Sequence, residues 1–184
     1  MRPWHVGAAA DVLPVPRVLD RSDLGGLTAA LMERLPGHPA GEMAVARPEL
    51  AHAIGCACGV LHARLAQILA PAGLRVVGNR QSPFHLYLLH LDLHPFNVLV
   101  DDVATVTGVI DWPNAAAGEP VLDRARTWSI LMLDPAALAR GSHPGWRMLI
   151  KAWTSHAALT NLPPRARVWA CAWAWTTCFS AGGG

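Results

Sequence analysis

Asp92, Asn97 and Asp111 carry the hard oxygen atoms that would let this chain do chemistry, and their spacing narrows what that chemistry is. They sit in His90-Leu91-Asp92-Leu93-His94-Pro95-Phe96-Asn97-Val98-Leu99-Val100, followed by Val109-Ile110-Asp111-Trp112. An Asp, an Asn five residues on and a second Asp at the end of an apolar run form the set that magnesium-nucleotide phosphoryl transfer requires. A loose phosphoryl-transfer transition state asks a protein mainly to position a hydroxyl and to hold metal ions against phosphate oxygens. Taken singly the residues have plainer readings: His90 and His94 as hydrogen-bonded structural histidines, Asp92 as a cap, Asn97 as a turn residue. A different enzyme class uses His90, Asp92 and His94 as alternate ligands on one strand face for a transition metal, making the chain a metal-dependent hydrolase. Pro95 and the lack of a further His-rich motif argue against it.

The elements that must position these residues are legible as alternating strand and helix signals. Leu13 to Leu19, punctuated by Pro14 and Pro16, reads as extended, because a residue before proline is pushed out of the helical region. Leu27 to Leu35 predicts a strand running into the turn-rich connector Pro36-Gly37-His38-Pro39. A helix opens at Arg47 with Pro48 at its first position, carries Leu50, Ile54, Leu61, Leu65 and Leu69 at near-helical spacing, and ends near Pro71 to Gly73. Short strands follow at Leu86 to His90, Asn97 to Val100 and Thr105 to Ile110, the last two joined across Asp101-Asp102. Beyond the Gly118-Glu119-Pro120 break, Val121, Leu122, Ala125, Trp128 and Met132 suit an amphipathic helix, and Asp134-Pro135 starts another element. Trp146 to Leu159 and Arg165 to Phe179 are two further apolar helices.

Composition bounds the rest. A chain of 184 residues that is 52% hydrophobic can bury one substantial core. A net charge of +2 with no basic stripe is a poor match for nucleic acid. Cys56, Cys58, Cys171 and Cys178 match neither a zinc site nor a disulfide scaffold and read as buried or inert thiols. No secretory signal is read at Val6 to Ala10, and Val168 to Ala181 is too short and too polar to span a membrane. A cytoplasmic protein is expected. Trp169 and Trp173, one helical turn apart, read as core, and Trp112 as a residue bordering the substrate cleft.

The chain resembles the C-terminal lobe of the aminoglycoside phosphotransferase and choline kinase-like family. That family carries a His-Gly-Asp-x-His-x-x-Asn loop, a strand ending Ile-Asp-Trp and a Gly-Asp-Pro-x-x-Asp segment. This chain has His90 to Asn97, Gly108 to Trp112, and Gly118-Glu119-Pro120-Val121-Leu122-Asp123. Ala30-Leu31-Met32-Glu33-Arg34-Leu35-Pro36-Gly37 is similar to the family's inter-lobe hinge, and Leu61-His62-Ala63 to its Leu-His helix, so the likeness runs from about Val15 to Arg126.

The resemblance implies an α+β, protein-kinase-like fold. Residues 1–39 would be the remnant of an N-terminal lobe with its hinge, and 40–184 a helical C-terminal catalytic lobe with a small β-hairpin. It implies ATP and Mg2+ as cofactors and a small-molecule hydroxyl as acceptor. Asp92 would be the catalytic base, Asn97 and Asp111 the metal ligands, and the backbone of Glu33 and Leu35 the adenine contact with Met32 packed nearby. Asp123 and His90 would be scaffold.

The chain departs from the pattern at Leu91, where the family has Gly and where an extended backbone would accommodate the side chain. Glu119 stands in place of Asp. No Gly-rich phosphate loop precedes the hinge, the sole lysine is Lys151, and Glu33 is the first Glu, so the lysine–glutamate pair of a complete kinase-like site is missing. An N-terminally truncated member of the family is therefore expected, with weak ATP affinity. The competing reading is an inactive remnant that binds a small molecule or a protein. No Asp or Glu follows Asp134, which argues against a polycationic acceptor.

Overall fold

The computed structural model describes residues 9–78 and 85–180, the side chains of residues 24, 27, 28 and 174–180 excepted. Trp4, the side chains of Trp175 and Cys178, and the terminal Gly182 to Gly184 therefore lie outside what is described. The first element is a hairpin, β1 (Val18–Leu24) against β2 (Leu27–Met32). Gly25 and Gly26 turn it with φ of 61° and 91°, the two positive values that a tight, strand-matching turn demands. β1 is missing from the sequence reading, and β2 stops at Met32 rather than Leu35.

The segment Glu33 to Gly37 then leads into β3 (His38–Pro39), which pairs with β5 (Val98–Val100); β5 in turn pairs with β6 (Val106–Val109). Gly37 (φ 101°) is needed at this junction, since a Cβ there would collide with Thr107 Oγ1 and crowd the Val100 carbonyl. A separate pair joins β4 (Tyr87–Leu89) to β7 (Ala116–Gly118). The Asp101-Asp102 turn forms as expected: Asp101 Oδ1 accepts from the Val103 and Thr105 N–H groups. Pro14, in the extended proline segment, accepts the Val109 N–H at 2.8 Å.

Helices supply the bulk. α1 (Ala40–Ala46) is unforeseen by the sequence reading, and α2 (Ala51–Leu65) follows a 3₁₀ turn at Pro48–Leu50. α2 ends at Leu65, not near Pro71, because Ile68 to Ala70 switches to extended pairing: the Leu88 N–H reaches the Ile68 carbonyl and the Ala70 N–H reaches that of Leu86. α3 (Pro120–Leu133), α4 (Pro135–Ala139), α5 (Pro144–His156) and α6 (Pro164–Ser180) complete the chain. α2 packs against α5, where a Cβ on Gly55 would strike the Leu149 carbonyl, so the two backbones approach closely. Ile54, Leu61, Leu65, Leu149 and Trp153 fill that seam, each contributing about 1.5–3 kcal/mol on burial.

Cys58 is buried in the same core, and desolvation pushes its thiol up; Cys171, however, is exposed. Trp112 is buried against His90, at 4.4 Å between ring centroids, with its Nε1–H on the Val109 carbonyl. It is therefore a core residue rather than a cleft residue. Trp169 and Trp173 are half-buried, with ring centroids 5.2 Å apart.

Candidate functional site

The loop between β4 and β5 and the end of β6 are tied into one closed ring of hydrogen bonds. The Asp92 N–H donates to His90 Nδ1 (3.2 Å), and His90 Nε2–H donates to the Ile110 carbonyl (2.9 Å). The Ile110 N–H donates to the Asn97 carbonyl (3.0 Å), and Asn97 Nδ2 returns to the Asp92 carbonyl (2.9 Å). The ring brings Asp92, Asn97 and the residue just before Asp111 into one rigid frame. It also assigns the His90 tautomer, with the proton on Nε2 and the lone pair on Nδ1. Burial holds the His90 imidazole below its ordinary value, against the opposing pull of Asp123, the Ile110 carbonyl, Asp92 and Asp111.

Asn97 is 6% exposed, and donation from Nδ2 leaves Oδ1, the metal-capable atom, out of that bond. Asp92 is half-buried and Asp111 exposed. Asp111 has φ 65°, a left-handed conformation that Asp tolerates better than most residues. Leu91 is also left-handed (φ 62°), not extended as the sequence suggested, and stores roughly 1–2 kcal/mol of backbone strain. Its side chain is buried with Leu89, Ala116 and Leu122, which holds it there.

Asp123, at the start of α3, is the anchor of the loop. Its Oδ1 accepts the backbone N–H groups of His90 (2.8 Å) and Leu91 (2.7 Å). His62 Nε2 of α2 lies 3.0 Å from Oδ2, close enough for an ion pair although the approach is poorly angled for a hydrogen bond. Burial pushes the Asp123 carboxyl up, but His62, the Leu91 N–H and His90 outweigh it, and the net shift is downward. Thr127, one turn further along α3, donates to the Leu93 carbonyl at 3.0 Å.

The metal-hydrolase arrangement is not formed. Both ring nitrogens of His90 are engaged within the protein, and His94 Nδ1 accepts the Phe96 N–H at 3.2 Å. Among the described residues no group of three His, Cys, Asp or Glu side chains could hold a metal ion.

On the hinge side, Met32 ends β2 opposite Val18 and is 44% exposed. The Glu33 N–H is already taken by the Arg17 carbonyl (2.8 Å) and its carboxylate pairs with Arg17 Nε (3.0 Å), so only its carbonyl is open to a ligand. Leu35 lies over β6 beside Gly108, and Thr107 Oγ1 donates to the Pro36 carbonyl at 2.6 Å, joining the hinge to the hairpin that ends in Asp111. Next to the loop, a cleft of about 230 Å³ is bounded by His94, Pro95 and Phe96 and by Ile130, Asp134, Arg140 and Trp146. Of these residues the sequence singled out His94, in the loop motif, and Asp134, through the capping pair Asp134-Pro135. Phe96, Arg140 and Trp146 meet across elements with no shared local pattern.

A helical body, a small antiparallel hairpin bearing Asp111 and a preceding Asp-to-Asn loop define a kinase-like phosphotransferase fold. The family model described as the phosphotransferase enzyme family matches residues 5–82 and 78–159, and the chain belongs to that family. An aminoglycoside phosphotransferase from Streptomyces rimosus, in complex with ADP and streptomycin, is similar at a TM-score of 0.59 and 16% identity over 90% of this chain and 76% of its own. An aminoglycoside-3′-phosphotransferase of type VIII gives 0.57 and 18%, over 85% and 75%. A thermostable mutant aminoglycoside phosphotransferase in ternary complex with AMP-PNP and hygromycin B gives 0.51 and 17%, over 94% and 79%. At such identities the likeness shows the fold. No curated protein sequence matches the chain. Among the described residues no helix is long and apolar enough to cross a membrane.

Proposed function

We propose that the chain transfers the γ-phosphoryl group of ATP to a hydroxyl of a small molecule. The observation that carries the reading is the hydrogen-bond ring, which holds Asp92 and Asn97 and the residue before Asp111 in one frame while leaving the Asp92 carboxylate and Asn97 Oδ1 out of it. In the reaction the acceptor oxygen bonds to the γ-phosphorus, the bond from that phosphorus to the bridging oxygen breaks, and ADP departs. Asp92 orients the acceptor hydroxyl and takes its proton.

The donor set fits magnesium: an amide oxygen turned by its own N–H donation and an exposed carboxylate are hard ligands of the kind that ion takes. Asn97 and Asp111 would hold it, and the ion would neutralise charge on the phosphate oxygens. The Glu33 carbonyl and the Leu35 N–H meet adenine, with Met32 beside it. Residues 1–39 then serve the nucleotide and 40–184 the catalytic loop, metal and acceptor. The relatives solved with ADP and AMP-PNP support nucleotide binding. ATP as donor places the reaction in the cytoplasm.

The test is Mg·ATP titration by calorimetry, followed by phosphoryl transfer to a panel of small alcohols, with Asp92→Asn alongside. Wild-type binding with turnover reduced about 10²–10⁴-fold in Asp92→Asn, at an unchanged melting temperature, is expected. Turnover that survives the substitution, or no heat at millimolar nucleotide, defeats the reading.

A further inference from the structure

We propose that the cleft beside the catalytic loop selects an acceptor with an aromatic or apolar body and a negatively charged group, and disfavours a cationic one. The inference rests on the phosphotransfer reading and goes beyond it to the chemical class of the acceptor.

The cleft wall is aromatic on one side: the rings of Phe96 and Trp146 are stacked with centroids 5.9 Å apart. Trp146 is buried and Phe96 half-buried, so a body in the cleft meets the open part of Phe96 and, with His94 and Pro95 also lining the cleft, abuts the proposed catalytic loop. The Arg140 guanidinium lies 4.8 Å from the Phe96 ring and 5.9 Å from Trp146, a face-on cation that occupies the place where a ligand's own cation would go. One of its nitrogens donates to the Ala136 carbonyl at 2.7 Å, and no carboxylate pairs with it among the described residues. Arg147 braces the turn that carries it, donating to the carbonyls of Gly141 and Ser142.

Asp134 is the carboxylate among the described residues that line the cleft, and its Oδ1 is tied down by the N–H groups of Ala136 and Ala137 as the cap of α4, with Oδ2 outside those bonds. Beyond it the chain has no carboxylate side chain at all, so α4, α5 and α6 offer a ligand only Arg and Lys charges. A fixed, carboxylate-free guanidinium with edge donors to spare matches a planar anion such as a carboxylate.

Three matched probes separate charge from shape: 4-(hydroxymethyl)benzoate, 1,4-benzenedimethanol and 4-(hydroxymethyl)benzylamine. Each has an aromatic body and a primary hydroxyl, and they are anionic, neutral and cationic respectively. Binding to the full chain is measured by ligand-observed NMR, and phosphorylation is measured separately. The carboxylate is expected to bind about tenfold or more tighter than the amine. Arg140→Gln is expected to bring the two within about twofold, while Arg140→Lys retains part of the preference. Equal or tighter binding of the amine to the wild-type chain, binding of none of the three, or an unchanged preference in Arg140→Gln overturns the inference. Carboxylate preference without phosphorylation of any probe leaves the inference standing and counts against the phosphotransfer reading. Asp92-dependent phosphorylation without charge preference does the reverse.

Discussion

The loop proposed as catalytic and the hairpin that leads to the proposed hinge are held by opposite means. From His90 to Asp111 the chain is pinned by buried polar atoms, with the Asp123 carboxylate beneath the loop and the four-bond ring above it. From Val18 to Glu33 the chain is a two-stranded ladder with largely exposed side chains, tied across its end by the surface pair Arg17–Glu33. Buried polar groups cost a great deal when one partner is removed, whereas exposed pairs cost little. Under the proposed function, the positions that must be precise are thus built where a single atom matters, and those that would contribute backbone alone are built where side chains are free to vary.

Removing the anchor should break the contrast most severely. Asp123→Ala leaves the buried N–H groups of His90 and Leu91 without their acceptor and takes the carboxylate away from beside His62, and should lower stability by about 3–5 kcal/mol. Thermal denaturation followed by circular dichroism reads this; a loss below about 1 kcal/mol would mean that water replaces the carboxylate.

Leu91→Gly tests which of two opposed effects wins at the strained position. Relief of the left-handed backbone returns roughly 1–2 kcal/mol, while loss of a fully buried leucine costs about 2–5 kcal/mol, with a further penalty for glycine entropy in the unfolded chain. Net destabilisation of about 2 kcal/mol is expected. A stabilised variant would show that packing with Leu89, Ala116 and Leu122 contributes little.

Acidification sharpens the same comparison. Burial holds His90 below its ordinary value near 6.5, so as pH falls through that value the unfolded chain takes up a proton that the folded chain does not. Stability from His90 is therefore present above the unfolded value and declines below it. Asp123, whose carboxyl is depressed, adds a loss only at lower pH, as protonation approaches its folded value. The His90 imidazole resonances should titrate below 6.5 in the folded protein; a midpoint at or above it would contradict the ring.

How much of this could be read from the chain itself varies by region for physical reasons. The loop stood out as a candidate because the chemistry proposed for it forces residue types: Asp92, Asn97 and Asp111 cannot be exchanged for apolar residues and still supply oxygen. α3 was legible because Pro120 and the apolar stripe from Leu122 to Leu131 announce it. α1 was not, since Pro39 gives it no side-chain cap and Gly41 weakens its signal. β7 was hidden because Ala116-Ala117-Gly118 has no strand preference and exists only by pairing with Tyr87 to Leu89. β1 was masked by its run of polar residues, although Gly25-Gly26 was a usable hairpin signal. The α2 terminus was overextended because Leu69 keeps the helical spacing while the strand pairing of Ile68 to Ala70 overrides it. The cleft was least legible, its walls coming from residues far apart in sequence.

Glu33→Ala is the smallest expected effect and a sharp test of how the hinge works. Its carboxylate sits on the surface beside Arg17, whose guanidinium holds it below the usual carboxylate range through a hydrogen bond. That attraction acts through solvent and is screened by salt, so its removal should leave the melting temperature unchanged. The Glu33 N–H, bonded to the Arg17 carbonyl, and the open Glu33 carbonyl are backbone groups that alanine retains. Mg·ATP affinity should therefore also be unchanged. A marked drop in affinity without a drop in stability would mean that the Glu33 side chain itself meets the nucleotide, and the hinge would then depend on side chains in the way the catalytic loop does.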